Sequence, residues 1–177
     1  MSDDSQPQSA TATVEVELKI RDSRLRAKMS VPAGPIRLAE LLPIVYRIAD
    51  VVVDSAVDDV QGQGRQISCK KGCGACCRQL VPIAEVEARQ IRDLVDGLPE
   101  PRRTEVRARF AVARQRLVDS GLWQQLVDRV AWSDDVFQEI GLQYFHQGIA
   151  CPFLEDESCS IHADRPSSCR EYLVTSP

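Results

Sequence analysis

The chain has 177 residues, 44% of them hydrophobic, and its 22 Lys and Arg against 26 Asp and Glu leave a formal charge of −4. That length and apolar content can build a core without disulfide staples, so the small secreted disulfide folds are excluded, and the acidic balance offers no general counter-charge to a nucleic acid. No run reaches the roughly 18 apolar residues of a membrane helix, and the start Met1-Ser2-Asp3-Asp4 is neither basic nor apolar, so a cytoplasmic chain with no membrane and no nucleic-acid partner is expected.

Residues 1–12 are Ser, Asp, Gln, Pro, Thr and Ala, and are expected to form a disordered leader. From Thr13 to Ile20 polar and apolar residues alternate, the period of a half-buried strand, and Leu25 to Val31 returns as a second one after a turn at Arg21-Asp22-Ser23. An N-terminal β-hairpin over 13–34 is predicted, followed by a helical domain over 35–177. Leu38, Leu41, Leu42, Val45, Ile48, Ala49, Val52 and Ala56 carry the three-and-four spacing of an amphipathic helix that contains Pro43. Pro82 is placed to open a second helix with Ile83, Val86, Ile91, Leu94, Val95 and Leu98 on one face. A third puts Val106, Phe110, Ala113 and Leu117 on one side and Arg103, Arg107, Arg109, Arg114 and Arg116 on what reads as a solvated face. Gly121 separates it from Leu122–Val130, and Ser133-Asp134-Asp135 is a capped start for a last helix with Val136, Phe137, Ile140 and Tyr144. The remainder has little regular pattern. The fold class expected is mainly α: a helical domain with an N-terminal β-hairpin and an irregular Cys-rich C-terminal segment clasped by metal.

Seven cysteines are unusual in such a chain, and they are not scattered. Cys69, Cys73, Cys76 and Cys77 lie within nine residues, and Cys151, Cys159 and Cys169 lie in the irregular tail. In the cytosol clustered thiols bind metal or do redox chemistry. Metal bound between the two segments would close a long loop and couple site assembly to folding. Gly72, Gly74 and Ala75 let the loop turn tightly, and Lys70, Lys71, Arg78 and Arg170 are expected to favour the thiolate form that ligates. Seven thiolates fill the eight positions of two tetrahedral zinc ions if one sulfur bridges or if His162 adds a bond, whereas a single four-cysteine site leaves three spare. The spacing Cys69-x3-Cys73-x2-Cys76 equals that of radical SAM enzymes, but the residues after it read as successive helices without the strands of that barrel. Cys thiolates are also the normal ligands of iron–sulfur clusters, so that cofactor stays open beside Zn2+ and iron.

The combined pattern Cys69-x3-Cys73-Gly74-x-Cys76-Cys77, Cys151-Pro152-Phe153-Leu154, Cys159-Ser160-Ile161-His162 and Arg165-Pro166-x-x-Cys169-Arg170 resembles the YkgJ-type cysteine-cluster family, described as a zinc- or iron-chelating domain, over residues 69–172. The resemblance implies that Cys69, Cys73, Cys76, Cys77, Cys151, Cys159 and Cys169 are all candidate metal ligands. The family commonly has Tyr where this chain has His162, and its members often continue past the Cys-Arg-x-Tyr segment, so a ligand from a longer C-terminus is a further candidate for completing the set. Arg165 and Arg170 read as counter-charges to the thiolates, and Pro166 as a stiffener of the turn between ligands.

Three functions fit these residues. The first is a metal-binding module chelating zinc or iron between the 69–77 loop and the 151–169 tail. The second is a metal-dependent or redox enzyme acting on a protein or small molecule, for example a protein-modifying activity related to the flagellin lysine methylases, which carry a similar cluster. No glycine-rich SAM loop supports that activity, and its acid/base candidates are His146, Glu155, Asp156, His162 and Glu171. The third is an adaptor whose metal shapes a surface for a protein partner.

Overall fold

The computed structural model describes residues 10–20, 23–70, 72–128, 132–173 and 175–176. The leader up to residue 9, Arg21 and Asp22 of the hairpin turn, Lys71 beside the cysteines and Val130 at the end of the 122–130 segment lie outside them.

Two strands, β1 (Thr11–Ile20) and β2 (Ser23–Pro32), pair antiparallel with Val16 opposite Ala27 and Val14 opposite Met29. The alternation sorts the two faces: Val14, Val16, Leu18, Ala27, Met29 and Val31 are half-buried, while Glu15, Glu17, Arg26 and Lys28 are exposed. A lone two-stranded hairpin is marginal in water. Its apolar face turns toward helix α1 (Leu38–Gly62), and Val16, Leu18, Met29, Ile44 and Ile48 share a cavity of about 280 Å³.

In α1 the buried positions are Leu42, Tyr46 and Ala49, one turn apart, while Leu38 and Val45 of the expected apolar stripe are exposed. Tyr46 takes over because its hydroxyl donates to Gln90 Oε1 at 3.0 Å, giving the ring a polar anchor at the far side of the core. Pro43 sits inside the helix, not at its opening.

Helix α2 spans Glu85–Asp96, so Pro82 lies outside it. The start is set by Glu87, whose carboxylate accepts from the Ala84 backbone N–H at 3.0 Å. Helices α3 (Arg102–Asp119) and α4 (Leu122–Val127) follow, joined at Gly121, whose φ of 76° suits glycine. Helix α5 (Asp134–His146) starts as predicted, with the Ser133 hydroxyl accepting from Val136 N–H.

The tail contains more order than its sequence shows. Strands β4 (Leu154–Glu155) and β5 (Ser158–Cys159) form a hairpin closed by Asp156 and Glu157, both at positive φ, the conformation of a tight two-residue turn. A 3₁₀ turn at His162–Asp164 leads to the short helix α6 (Ser167–Glu171), and β6 (Thr175–Ser176) pairs with β3 (Gln66–Ile67) ahead of the cysteine loop. Phe153 and Ile161 of this tail join Val95 and Val106 in one core cluster, and Ile149 joins Leu117 and Leu122 in another. Packing against α2, α3 and α4 therefore holds the segment independently of any metal.

Arg107, Arg114 and Arg116 of α3 are exposed, as expected of a solvated face, and Arg103 and Arg109 are half-buried, but the face is also paired. Arg102 and Arg109 both reach Glu155 in β4, Arg116 donates to the Gln147 carbonyl at 2.5 Å, and Arg107 pairs with Asp96 at 2.7 Å. Arg114 lies over the Trp123 ring, 5.0 Å from its centroid. The helix is basic because acidic groups and carbonyls of the tail and of α2 face it.

Candidate metal centre

The loop between β3 and α2 is built around close approach. Gly74 is buried, and a Cβ added there would lie 2.5 Å from a Glu157 carboxylate oxygen and 2.8 Å from Leu154 Cδ1, so a larger residue fits only if those side chains shift. Arg78 closes the same contact: its guanidinium donates to the Gly74 carbonyl at 3.0 Å and to both Glu157 carboxylate oxygens at 2.8 and 2.6 Å. A 3₁₀ turn over Cys76–Arg78 points the loop back toward the tail, where Cys151 N–H donates to the Cys77 carbonyl at 2.7 Å.

Through these contacts five of the seven cysteines meet. Cys76 and Cys77 from the loop and Cys151, Cys159 and Cys169 from the tail line one cavity of about 330 Å³. Its remaining wall is mostly apolar, including Ile83, Phe110, Tyr144, Phe153 and Tyr172. Cys69 and Cys73 stay outside it; Cys73 is exposed and Cys69 partly buried.

The electrostatics oppose the expectation that flanking cations favour thiolates. Burial, followed by Cys76, Cys151 and Cys159, pushes the Cys77 thiol up to about 12. Burial, with Cys151, Cys159 and Cys76 behind it, raises Cys169 to about 11, and burial also raises Cys151. Two of the expected cations have other partners: Arg78 pairs first with Glu157, with a weaker attraction to Cys77, and Arg170 pairs with Asp50 at 3.0 Å, donates to the carbonyls of Ala163 and Arg165, and lies over the Tyr46 ring. Arg165 alone among the nearby cations lowers Cys169.

Neutral buried thiols pack as small apolar groups, and among the described residues no three His, Cys, Asp or Glu side chains are drawn together tightly enough to hold an ion. The donor chemistry nonetheless fits a soft or borderline metal, because every Lewis-basic side chain of strong ligating type on the cavity wall is a cysteine and no carboxylate or imidazole is among them.

The acid/base candidates fall away from this wall. Glu155 is held by Arg102 and Arg109, which keep its carboxyl below the usual range. Asp156 and Glu171 are exposed. His146 is exposed in the last turn of α5. His162 is exposed too, and Arg165 first, then burial and Arg170, lower its proton affinity. Two residues that position the site carried little sequence signal. Asp50, 120 positions from Arg170, had none. Glu87 stands three residues after Ala84, the spacing of a capping box without its usual Ser or Thr, and it also accepts from Ser167 N and Oγ, both at 2.8 Å, fixing α6.

Residues 68–176, more than half of the chain and all seven cysteines, match the model of the CxxCxxCC family, described as "Putative zinc- or iron-chelating domain". The chain belongs to the CxxCxxCC family. Among curated proteins and among solved structures, none matches. The CxxCxxCC match begins just ahead of Cys69 and ends within β6, so it spans the loop, α2 to α5 and the tail, and leaves the N-terminal hairpin and α1 outside. Its description agrees with a metal ion as the binding partner. No helix among the described residues is long and apolar enough to cross a membrane.

Proposed function

We propose that the chain chelates zinc or iron at the cysteine-lined cavity, with Cys76, Cys77, Cys151, Cys159 and Cys169 as the inner donors and Cys69 and Cys73 completing the set from the loop. The observation that carries this reading is the convergence of cysteines from two segments far apart in sequence on one cavity, in a chain whose family is described as zinc- or iron-chelating. Ordinary core packing accounts for one or two buried thiols, not for five on one wall. The residues available suit a thiolate-ligated centre: zinc in tetrahedral sulfur coordination, or iron, alone or as an iron–sulfur cluster. When bound, the metal supplies a positive centre that keeps the thiolates deprotonated and crosslinks loop to tail.

What this chain's own residues contribute is the scaffold. Gly74, Arg78 and Glu157 hold the loop on the tail hairpin, the Cys151–Cys77 backbone hydrogen bond sets their spacing, and a mostly apolar wall surrounds the half-buried sulfurs. The test is elemental analysis of the protein as purified, with an absorption spectrum. Stoichiometric zinc or iron is expected, and a visible charge-transfer band selects iron over zinc. Metal-free protein with seven freely titrating thiols overturns the reading.

A further inference from the structure

The cysteine cavity is larger than an ion requires. At about 330 Å³ it reaches the lower end of the range occupied by small organic ligands, about 300–1,000 Å³. Apart from the thiols its wall is apolar and aromatic, and Arg165 is the one charged side chain that lines it among the described residues.

Arg165 differs from its neighbours. Arg78, Arg102, Arg107, Arg109 and Arg170 each meet a carboxylate. The Arg165 side chain makes no hydrogen bond or ion pair among the described residues, and its Nε is shielded from solvent with no partner. With no carboxylate or carbonyl of the described residues on its side chain, the guanidinium is available to an acceptor bound in the cavity that Arg165 lines. Pro166, buried directly after it, and the Arg165 carbonyl, which accepts from Arg170 Nε at 3.1 Å, fix the backbone that carries the side chain.

We infer that this cavity binds a small organic carboxylate with an apolar body, its carboxylate on the Arg165 guanidinium and its hydrocarbon against Ile83, Phe110, Phe153 and Tyr172. A planar guanidinium matches a carboxylate in a two-point fork. A phosphate dianion fits less well, because the wall offers one cation and no second charge to share it. The inference concerns the same cavity as the metal reading without depending on it, and the two fail separately: metal content reports one, carboxylate binding the other.

The experiment is calorimetric titration of the protein as purified, at measured metal content, with phenylbutyrate, the neutral phenylbutanol and inorganic phosphate. Phenylbutyrate is expected to bind about tenfold more tightly than the alcohol, the scale of one charge-assisted pairing. Arg165→Gln removes that preference, read against the parent protein at matched metal content. Ile83→Trp, at a partly exposed position on the cavity wall where added bulk is tolerated by the fold, lowers phenylbutyrate affinity with Arg165 intact, and gives the answer if Arg165→Gln fails to fold. Equal affinity for acid and alcohol, no binding of either, or tighter binding of phosphate overturns the inference. So does an Arg165→Gln protein that loses metal yet keeps the carboxylate preference, since Arg165 then serves only as counter-charge to the thiolates.

Discussion

Glu87 is 3% exposed, and a carboxylate that deep is costly unless hydrogen bonds repay its lost hydration. Burial raises its pKa, but the Ser167 and Ala84 donors outweigh burial and leave it below the usual glutamate range. A carboxyl depressed in the folded state contributes stability above its unfolded pKa of about 4.3, and that contribution is lost as pH falls through the lower folded value. Glu87→Gln keeps the shape but not the charge; it is expected to cost about 1–3 kcal/mol near neutral pH. It should also flatten the acid limb of stability, measured as urea unfolding free energy between about pH 3 and pH 6. An acid limb as steep as that of the parent would show that Glu87 is not the linked group. Arg170 belongs to the same scale: it was legible as a cation beside Cys169, yet its partner Asp50 was not, because nothing local to either residue records a contact across 120 positions.

Among the elements, the tail hairpin is the one whose role changed. Its strands have two residues each, too short for periodicity to reveal, and the positive-φ pair Asp156-Glu157 lacks the Gly that usually marks such a turn. Phe153, 4% exposed, lies two residues after Cys151 and packs edge-on to Phe110 with ring centroids 5.4 Å apart. Phe153→Ala is expected to destabilise the protein by about 3–5 kcal/mol and to raise amide exchange across 151–171. Exchange unchanged there would mean that the core does not hold the tail. The helices, by contrast, were mostly legible, since α3 and α5 carry a buried stripe and a Ser cap in sequence. The pairing of Arg102 and Arg109 with Glu155 was not, because a basic helix face looks the same whether it meets water or a carboxylate.

For the whole molecule, the balance between packing and metal sets how binding should depend on pH. Cys77 and Cys169, raised to about 12 and about 11, are protonated at neutral pH in the metal-free chain. A metal must displace those protons, so affinity for zinc should rise with pH across the neutral range and binding should release protons. Calorimetry in two buffers of different ionisation enthalpy counts them, and binding with no proton release would contradict neutral thiols as ligands. Cys77→Ser should lower metal content more than Cys73→Ser, since Cys77 lines the cavity and Cys73 does not.

By itself the sequence determined that the chain is mainly helical behind an N-terminal hairpin, and that its seven cysteines are grouped four and three. Those are local facts, written in periodicity, caps and spacing. Only the tertiary structure decided which five thiols share a wall, that the tail shares its core with α2 and α3, and that Arg78 and Arg170 pair with Glu157 and Asp50 while Arg165 lines the cavity without a carboxylate partner among the described residues. The reason is physical. Burial and long-range pairing depend on which surfaces meet, and no window of sequence contains both partners.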